Sequence, residues 1–311
     1  MTTTSTPHPL ARAGAPPLPE ALAAPRHSLM TRTGERLAWY GDGVGSGRPL
    51  VLIHSINAAP SSFEIKPLFD QYRGQRPVYS LDLPGFGHAD RPVGPYSAER
   101  FAAAIVDFLD QVVKEPADVL ALSLSGEFAA RAALKAPGRI SSLALISPTG
   151  FGARQPFGPA IGRPLHRFLT LPLLGAAAYA LVSSRPSINY YLGKSFVGAP
   201  PAELIDYAYA TSHQPGARFA PLMFLSMQLF TRDAPQRLYG SLPTTLPVLA
   251  IADRDPYVTF EKLAGFVAAH PNWRLESLAP HLGLPQWERL PAVVAALDRF
   301  WAGAAGAADA V

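Results

Sequence analysis

The chain has 311 residues, 48% of them hydrophobic and 16% charged, which is enough to bury a large core. Its formal charge is +4, and its 27 Lys and Arg are spread along the chain, so the composition gives no support to a nucleic-acid role. It has no cysteine, which excludes disulfides, thiolate metal sites and a Cys nucleophile.

Residues 1–25 are rich in Thr, Ser, Pro and Ala and read as a disordered arm. They contain no charged start followed by an unbroken apolar core, so no secretory signal is expected and the expected location is cytoplasmic. Residues 36–40 read as an early strand and 41–47 as a turn. Residues 49–53 (Pro-Leu-Val-Leu-Ile) form a continuous apolar run, as in a strand buried on both faces. A helix is expected over 61–72 and a strand over 77–81. Phe101, Ile105, Phe108, Leu109 and Val112 form a helical stripe within 97–113. Strand 118–122, helix 124–135 and strand 141–146 follow. This alternation predicts an α/β fold with a doubly wound, mostly parallel sheet, whose ligands bind outside the carboxyl ends of the strands.

The alternation stops after Gly150. Residues 151–243 show no buried strand and are rich in Pro, Tyr, Phe and Leu, which predicts several short helices. Strand 247–251, helix 259–269, a strand near 274–278 and a final helix over about 289–302 complete the pattern. The expected organisation is a core of residues 26–150 and 244–304 with an inserted helical cap at 151–243, a natural lid. The longest apolar stretch, residues 168–182, is interrupted by Pro172 and Gly175 and is too short to span a bilayer, so no stable membrane insertion is expected.

The most informative run is Val119-Leu120-Ala121-Leu122-Ser123-Leu124-Ser125-Gly126, followed by an Ala-rich amphipathic segment. It reads as a strand turning sharply into a helix with a serine at the apex. Such an elbow exposes the Ser123 hydroxyl and aims the free amides of the helix start at any charge developing there. Ser125 is a rival, but Glu127 stands where its second small residue should be.

Four motifs in order resemble the α/β-hydrolase superfamily, over roughly residues 30–302. Leu50-Val51-Leu52-Ile53-His54-Ser55-Ile56-Asn57 looks like its oxyanion strand and loop. Leu81-Asp82-Leu83-Pro84-Gly85-Phe86-Gly87 is similar to its Asp-x-Pro-Gly-x-Gly turn. The elbow at Ser123 is the third, and the run from Pro247 to Asp255-Pro256 resembles the strand before its triad acid.

The resemblance implies Ser123 as nucleophile, Asp255 as the acid in preference to Asp253, and backbone amides of Ile56 and Leu124 as oxyanion donors. The order Ser, Asp, His leaves His270 and His281 for the base, and only His281 follows the last strand. The family reads Gly-His-x-Pro-x-x-Glu here. Aligning Pro285 and Glu288 with that pattern puts Gly283 at the histidine and His281 two residues early. Ser55, Asn57, Phe151, Tyr191 and Phe224 are expected to contact substrate. His54 and His88 read as structural, and a first-turn acid such as Glu127 is explained by the helix dipole.

The expected activity is a serine hydrolase acting on a small apolar ester, thioester or lactone, with no metal or cofactor. Two competitors follow from the same residues. The displaced histidine suggests a non-hydrolytic binding protein, lyase or cyclase, and the 168–182 stretch suggests work at a lipid interface.

Overall fold

A computed structural model describes residues 17–308. Eight strands form one sheet: β1 (Arg26–Met30), β2 (Arg36–Gly41), β3 (Leu50–Ile53), β4 (Val78–Asp82), β5 (Ala117–Leu122), β6 (Ile140–Ile146), β7 (Val248–Ile251) and β8 (Trp273–Glu276). Their spatial order is β1-β2-β4-β3-β5-β6-β7-β8. β2 is antiparallel to both its neighbours, and from β4 through β8 every pairing is parallel.

The strand sequences explain the two-sided core. Successive residues of a strand face opposite sides. Val51 and Ile53, Val119 and Ala121, and Leu143 and Leu145 therefore enter one buried cluster. Leu50 and Leu52, Leu120 and Leu122, and Ala144 and Ile146 enter another. A continuous apolar run satisfies both faces at once, which is why these strands do not alternate polar with apolar.

The core helices are α1 (Lys66–Tyr72), α2 (Ala98–Phe108) and α3 (Ser125–Lys135), with α10 (Leu263–Ala269), α11 (Pro285–Glu288) and α12 (Leu290–Ala308) after the cap. Ser97 starts α2 by accepting the Arg100 amide at 3.1 Å. The helical insertion between β6 and β7, the segment expected to form the cap, contributes α4 (Pro159–Leu169), α5 (Pro172–Val182), α6 (Arg185–Lys194), α7 (Ala202–Ser212), α8 (Phe219–Leu225) and α9 (Ala234–Arg237).

Two details differ from the sequence expectation. Residues 17–25 lie on the core: Ala21 and Leu22 are buried, and the Ala21 amide donates to the Tyr40 hydroxyl at 3.1 Å. Two apolar side chains and one buried hydrogen bond hold that end of the expected arm, whose first sixteen residues lie outside the described ones. Residues 259–262 also fall outside any regular helix, and α10 begins at Leu263.

Candidate active site

The turn after β5 places Ser123 at the head of α3. Its φ is +51°, a left-handed conformation that a non-glycine residue adopts only where surroundings enforce it. The enforcement is visible. The Ser123 amide donates to the Ile146 carbonyl on β6 at 2.8 Å, and the Gly126 amide returns to the Ser123 carbonyl at 3.0 Å. Ser125, the sequence rival, is fully buried, and its hydroxyl donates to the His54 carbonyl at 2.6 Å. It ties the elbow to the end of β3, so Ser123 is the hydroxyl left in the open.

Ser123 lines a cavity of about 330 Å³ between sheet and cap, a size suited to a small ligand. Ser55, Ile56, Asn57, Glu64, Asp255 and Gly283 share its core-side wall. Val182, Ile188, Tyr191, Leu192, Leu204 and Phe224 make an apolar wall from the cap.

The loop after β3 is held by Glu64, a residue the sequence reading did not single out. Its two carboxylate oxygens accept separately, from the Ser55 amide at 2.9 Å and from the Asn57 side-chain amide at 2.7 Å. Asn57 also donates to the Ser55 hydroxyl at 2.8 Å. Ile56, the expected oxyanion donor, lies between these two clamped residues. Asn57 thus acts on the loop, with its amide spent on Ser55 and Glu64. The second donor expected, Leu124, immediately precedes α3 and is fully buried. His54 accepts the Leu83 amide at 3.0 Å and makes a 2.6 Å contact with the Ser55 carbonyl, so its imidazole braces the loop from below.

Across the cavity, one oxygen of Asp255, Oδ1, accepts the amides of Tyr257 at 2.8 Å and Val258 at 2.9 Å. Burial pushes its carboxyl above the usual carboxylate range, against the pull of those two amides. The other oxygen, Oδ2, faces Gly283: a Cβ added there would lie 2.7 Å from it. In the Ser-His-Asp arrangement the acid's free oxygen receives the imidazole N–H. In this chain that place belongs to a glycine.

His281 lies elsewhere in the loop. It is fully buried, its amide donates to Asp253 at 3.2 Å, and its Nδ1 contacts the Leu282 carbonyl at 2.7 Å. Its Nε2 is buried with no hydrogen-bond partner. No hydrogen bond joins it to Ser123 or Asp255 among the described residues. The expected contact of Phe151 with substrate is corrected by the structure. Phe151 follows Gly150, whose φ is +94°, and turns into the core, fully buried and stacked on Tyr239 at 5.0 Å.

Glu127 carries more than a dipole role. It is fully buried, accepts the Thr149 hydroxyl on one oxygen and the Thr231 amide at 2.7 Å on the other, and so links α3 to the cap. Burial pushes its carboxyl above the usual range. A folded pKa above the unfolded one favours the folded state only while the group stays protonated. Stability from this group is therefore full below the unfolded value and is lost as pH rises through the raised one. Glu127→Gln keeps both contacts, because the Thr149 hydroxyl can accept instead of donate. Its melting temperature should exceed the wild type's at neutral and alkaline pH, and the two should converge in acid, as thermal melts across pH would read.

A sequence profile described as the alpha/beta hydrolase family matches residues 50–297. The chain is 32% identical over 132 residues to a dihydrolipoyllysine-residue acetyltransferase component of an acetoin cleaving system from Cupriavidus necator, covering 42% of this chain and 34% of that protein. It is 32% identical over 119 residues to mouse (Mus musculus) 1-acylglycerol-3-phosphate O-acyltransferase ABHD5, covering 37% of this chain and 33% of that one. It therefore spans about a third of the length of these relatives. A hydrolase from Pseudomonas aeruginosa superposes with a TM-score of 0.67 at 23% identity, over 90% of this chain and 99% of that one. A membrane phospholipase A superposes with 0.69 at 21%, over 90% and 86%. An enol-lactonase from Burkholderia xenovorans superposes with 0.67 at 16%, over 89% and 100%. At these identities the superpositions speak for the fold alone. The profile covers most of the chain: the chain belongs to the alpha/beta hydrolase family.

Proposed function

We propose that the cavity binds an ester, thioester or lactone with an apolar acyl part, and that Ser123 accepts the acyl group slowly. The observation that carries this reading is the pairing of a strained, cavity-lining Ser123 with an Asp255 whose Oδ2 meets Gly283. On this reading the Ser123 oxygen, the Leu124 amide and the Ile56 amide on its clamped loop would receive the carbonyl, which the Glu64 clamp on Ser55 and Asn57 supports. No imidazole is hydrogen-bonded to Ser123 or Asp255 among the described residues to carry the proton.

In acylation the Ser123 oxygen bonds to the acyl carbon and the bond to the leaving alcohol breaks. The serine proton must reach that alcohol. A positioned imidazole ordinarily carries it. Without one, water must, and the remaining machinery supplies a residual acceleration of roughly 10³–10⁴ over water. The cap side chains favour acyl chains over charged groups, because Val182, Ile188, Leu192 and Leu204 offer no partner for a charge.

The test is release of p-nitrophenol from esters running from acetate to decanoate. Expected is slow release that grows with acyl length until the cavity is filled, and that disappears in Ser123→Ala. Equal residual release in Ser123→Ala would remove the serine from the chemistry and leave a binding site only.

A further inference from the structure

The cap also carries a surface feature that stands independently of the chemistry at Ser123. In the cap, α4 packs on α5 and α5 on α6. Along α4 and α5, Ile161, Phe168, Leu171, Leu173, Leu174 and Leu181 are exposed, Leu173 by 85% and Leu181 by 72%. Scattered exposed leucines need no explanation, but a cluster on neighbouring helices marks an interaction surface.

The charged side chains carried by α4, α5 and α6 themselves have one sign. Arg154, Arg163, Arg167, Arg185 and Lys194 are exposed, and no Asp or Glu occurs between Glu127 and Glu203. Of these five, only Arg185 forms an ion pair among the described residues, with Asp206. The inner side of α4 carries the buried Gly162, where an added Cβ would lie 3.0 Å from the Ser226 carbonyl. At about 100° per residue, Ile161 and Phe168 fall on one flank of its outer side and Arg163 and Arg167 on the other. Apolar residues flanked by cations is the pattern of a helix that lies in a bilayer interface.

We propose that the α4–α6 face of the cap docks on the surface of an anionic lipid bilayer. A second copy of this chain is a poor occupant, because two such faces would bring the cations of α4, which have no ion pair among the described residues, against one another. Spanning by a single helix is also disfavoured. No single helix among the described residues is long and apolar enough to cross a membrane, and α4 and α5 meet at a bend of 93°. The docked helices also wall the cavity, through Val182 of α5 and Ile188, Tyr191 and Leu192 of α6. An acyl compound drawn from the bilayer would reach Ser123 beside the docking face.

The experiment is sedimentation of the full chain with phosphatidylcholine vesicles, with and without phosphatidylglycerol, at low and high salt. Expected is binding that requires phosphatidylglycerol and weakens as salt screens the charges. Arg163→Glu with Arg167→Glu should lower it roughly tenfold or more. Leu173→Asp with Leu181→Asp should lower it as well. Both variants should keep the wild-type melting temperature and ester release in solution, which separates docking from the chemistry at Ser123. No sedimentation, or equal binding to both vesicle types, would overturn the proposal. So would a concentration-dependent dimer that the leucine variant dissolves, since a second copy would then be the occupant.

Discussion

Gly283→His is expected to raise ester turnover by about 10²-fold or more over the wild type, the usual contribution of a positioned general base. The backbone at Gly283 is free of the left-handed strain that would forbid a side chain. The new Cβ would start 2.7 Å from Asp255 Oδ2, so the carboxylate must give way by a few tenths of an ångström, which lengthens the two amide bonds to Oδ1. That movement is cheap because the obstructing atom is the tip of a side chain. Asp255 Cγ and the Ser195 hydroxyl are next, each 3.6 Å away. The imidazole would then lie in the cavity wall that also contains Ser123. Asp255→Asn in the same background should remove most of the gain, because an amide cannot hold the imidazolium or its tautomer as a carboxylate does. A folded Gly283→His protein with unchanged turnover would show that this backbone position does not face the serine.

The second large effect concerns Glu64. Glu64→Ala should cost about 3 kcal/mol or more of stability, because it leaves the Ser55 amide and the Asn57 side chain as donors without their charged acceptor. Thermal melts should show a fall of at least about 5 °C. The effect on chemistry should be larger than that on folding alone. Ile56 sits between the two released residues, so ester release measured well below the melting transition should fall roughly tenfold or more. Glu64→Gln is the finer probe. Both carboxylate oxygens face N–H donors, so one arm of the glutamine would present a donor to a donor. Loss of release with little loss of stability in that variant would mark Glu64 as a positioning residue for the loop. Unchanged release in both variants would mean that the loop holds its shape without the clamp.

The central sheet was legible because β3, β5, β6 and β7 are short apolar runs bounded by turns. β1 was not, because four of its five residues are exposed and an edge strand needs no apolar run. The helical insertion between β6 and β7 was legible as an interruption of rhythm, though not in its packing. The sharp turn at Ser123 could be read from local sequence because a strand passing into a helix is a local pattern. Glu64 could not, because its role is a contact reaching back across nine residues into another loop. A Glu inside the apolar context Ser62-Phe63-Glu64-Ile65 was the one available signal. Phe151 was misread because an aromatic residue beside a glycine looks the same in a pocket and in a core. The two-residue offset between His281 and Gly283 was readable in the motif. Which of the two faces Asp255 depends on how the loop folds, and only three dimensions supply that.

The most direct measurement is kcat/KM for one medium-chain p-nitrophenyl ester in the wild type, Ser123→Ala and His281→Ala. Expected is loss of the serine-dependent rate in Ser123→Ala and a change of less than about threefold in His281→Ala, because that imidazole is buried against Leu282 rather than joined to the serine. A His281→Ala protein that folds and is as inactive as Ser123→Ala would contradict the reading. His281 would then be the general base, and the loop from Pro280 to Leu284 would have to rearrange to deliver it.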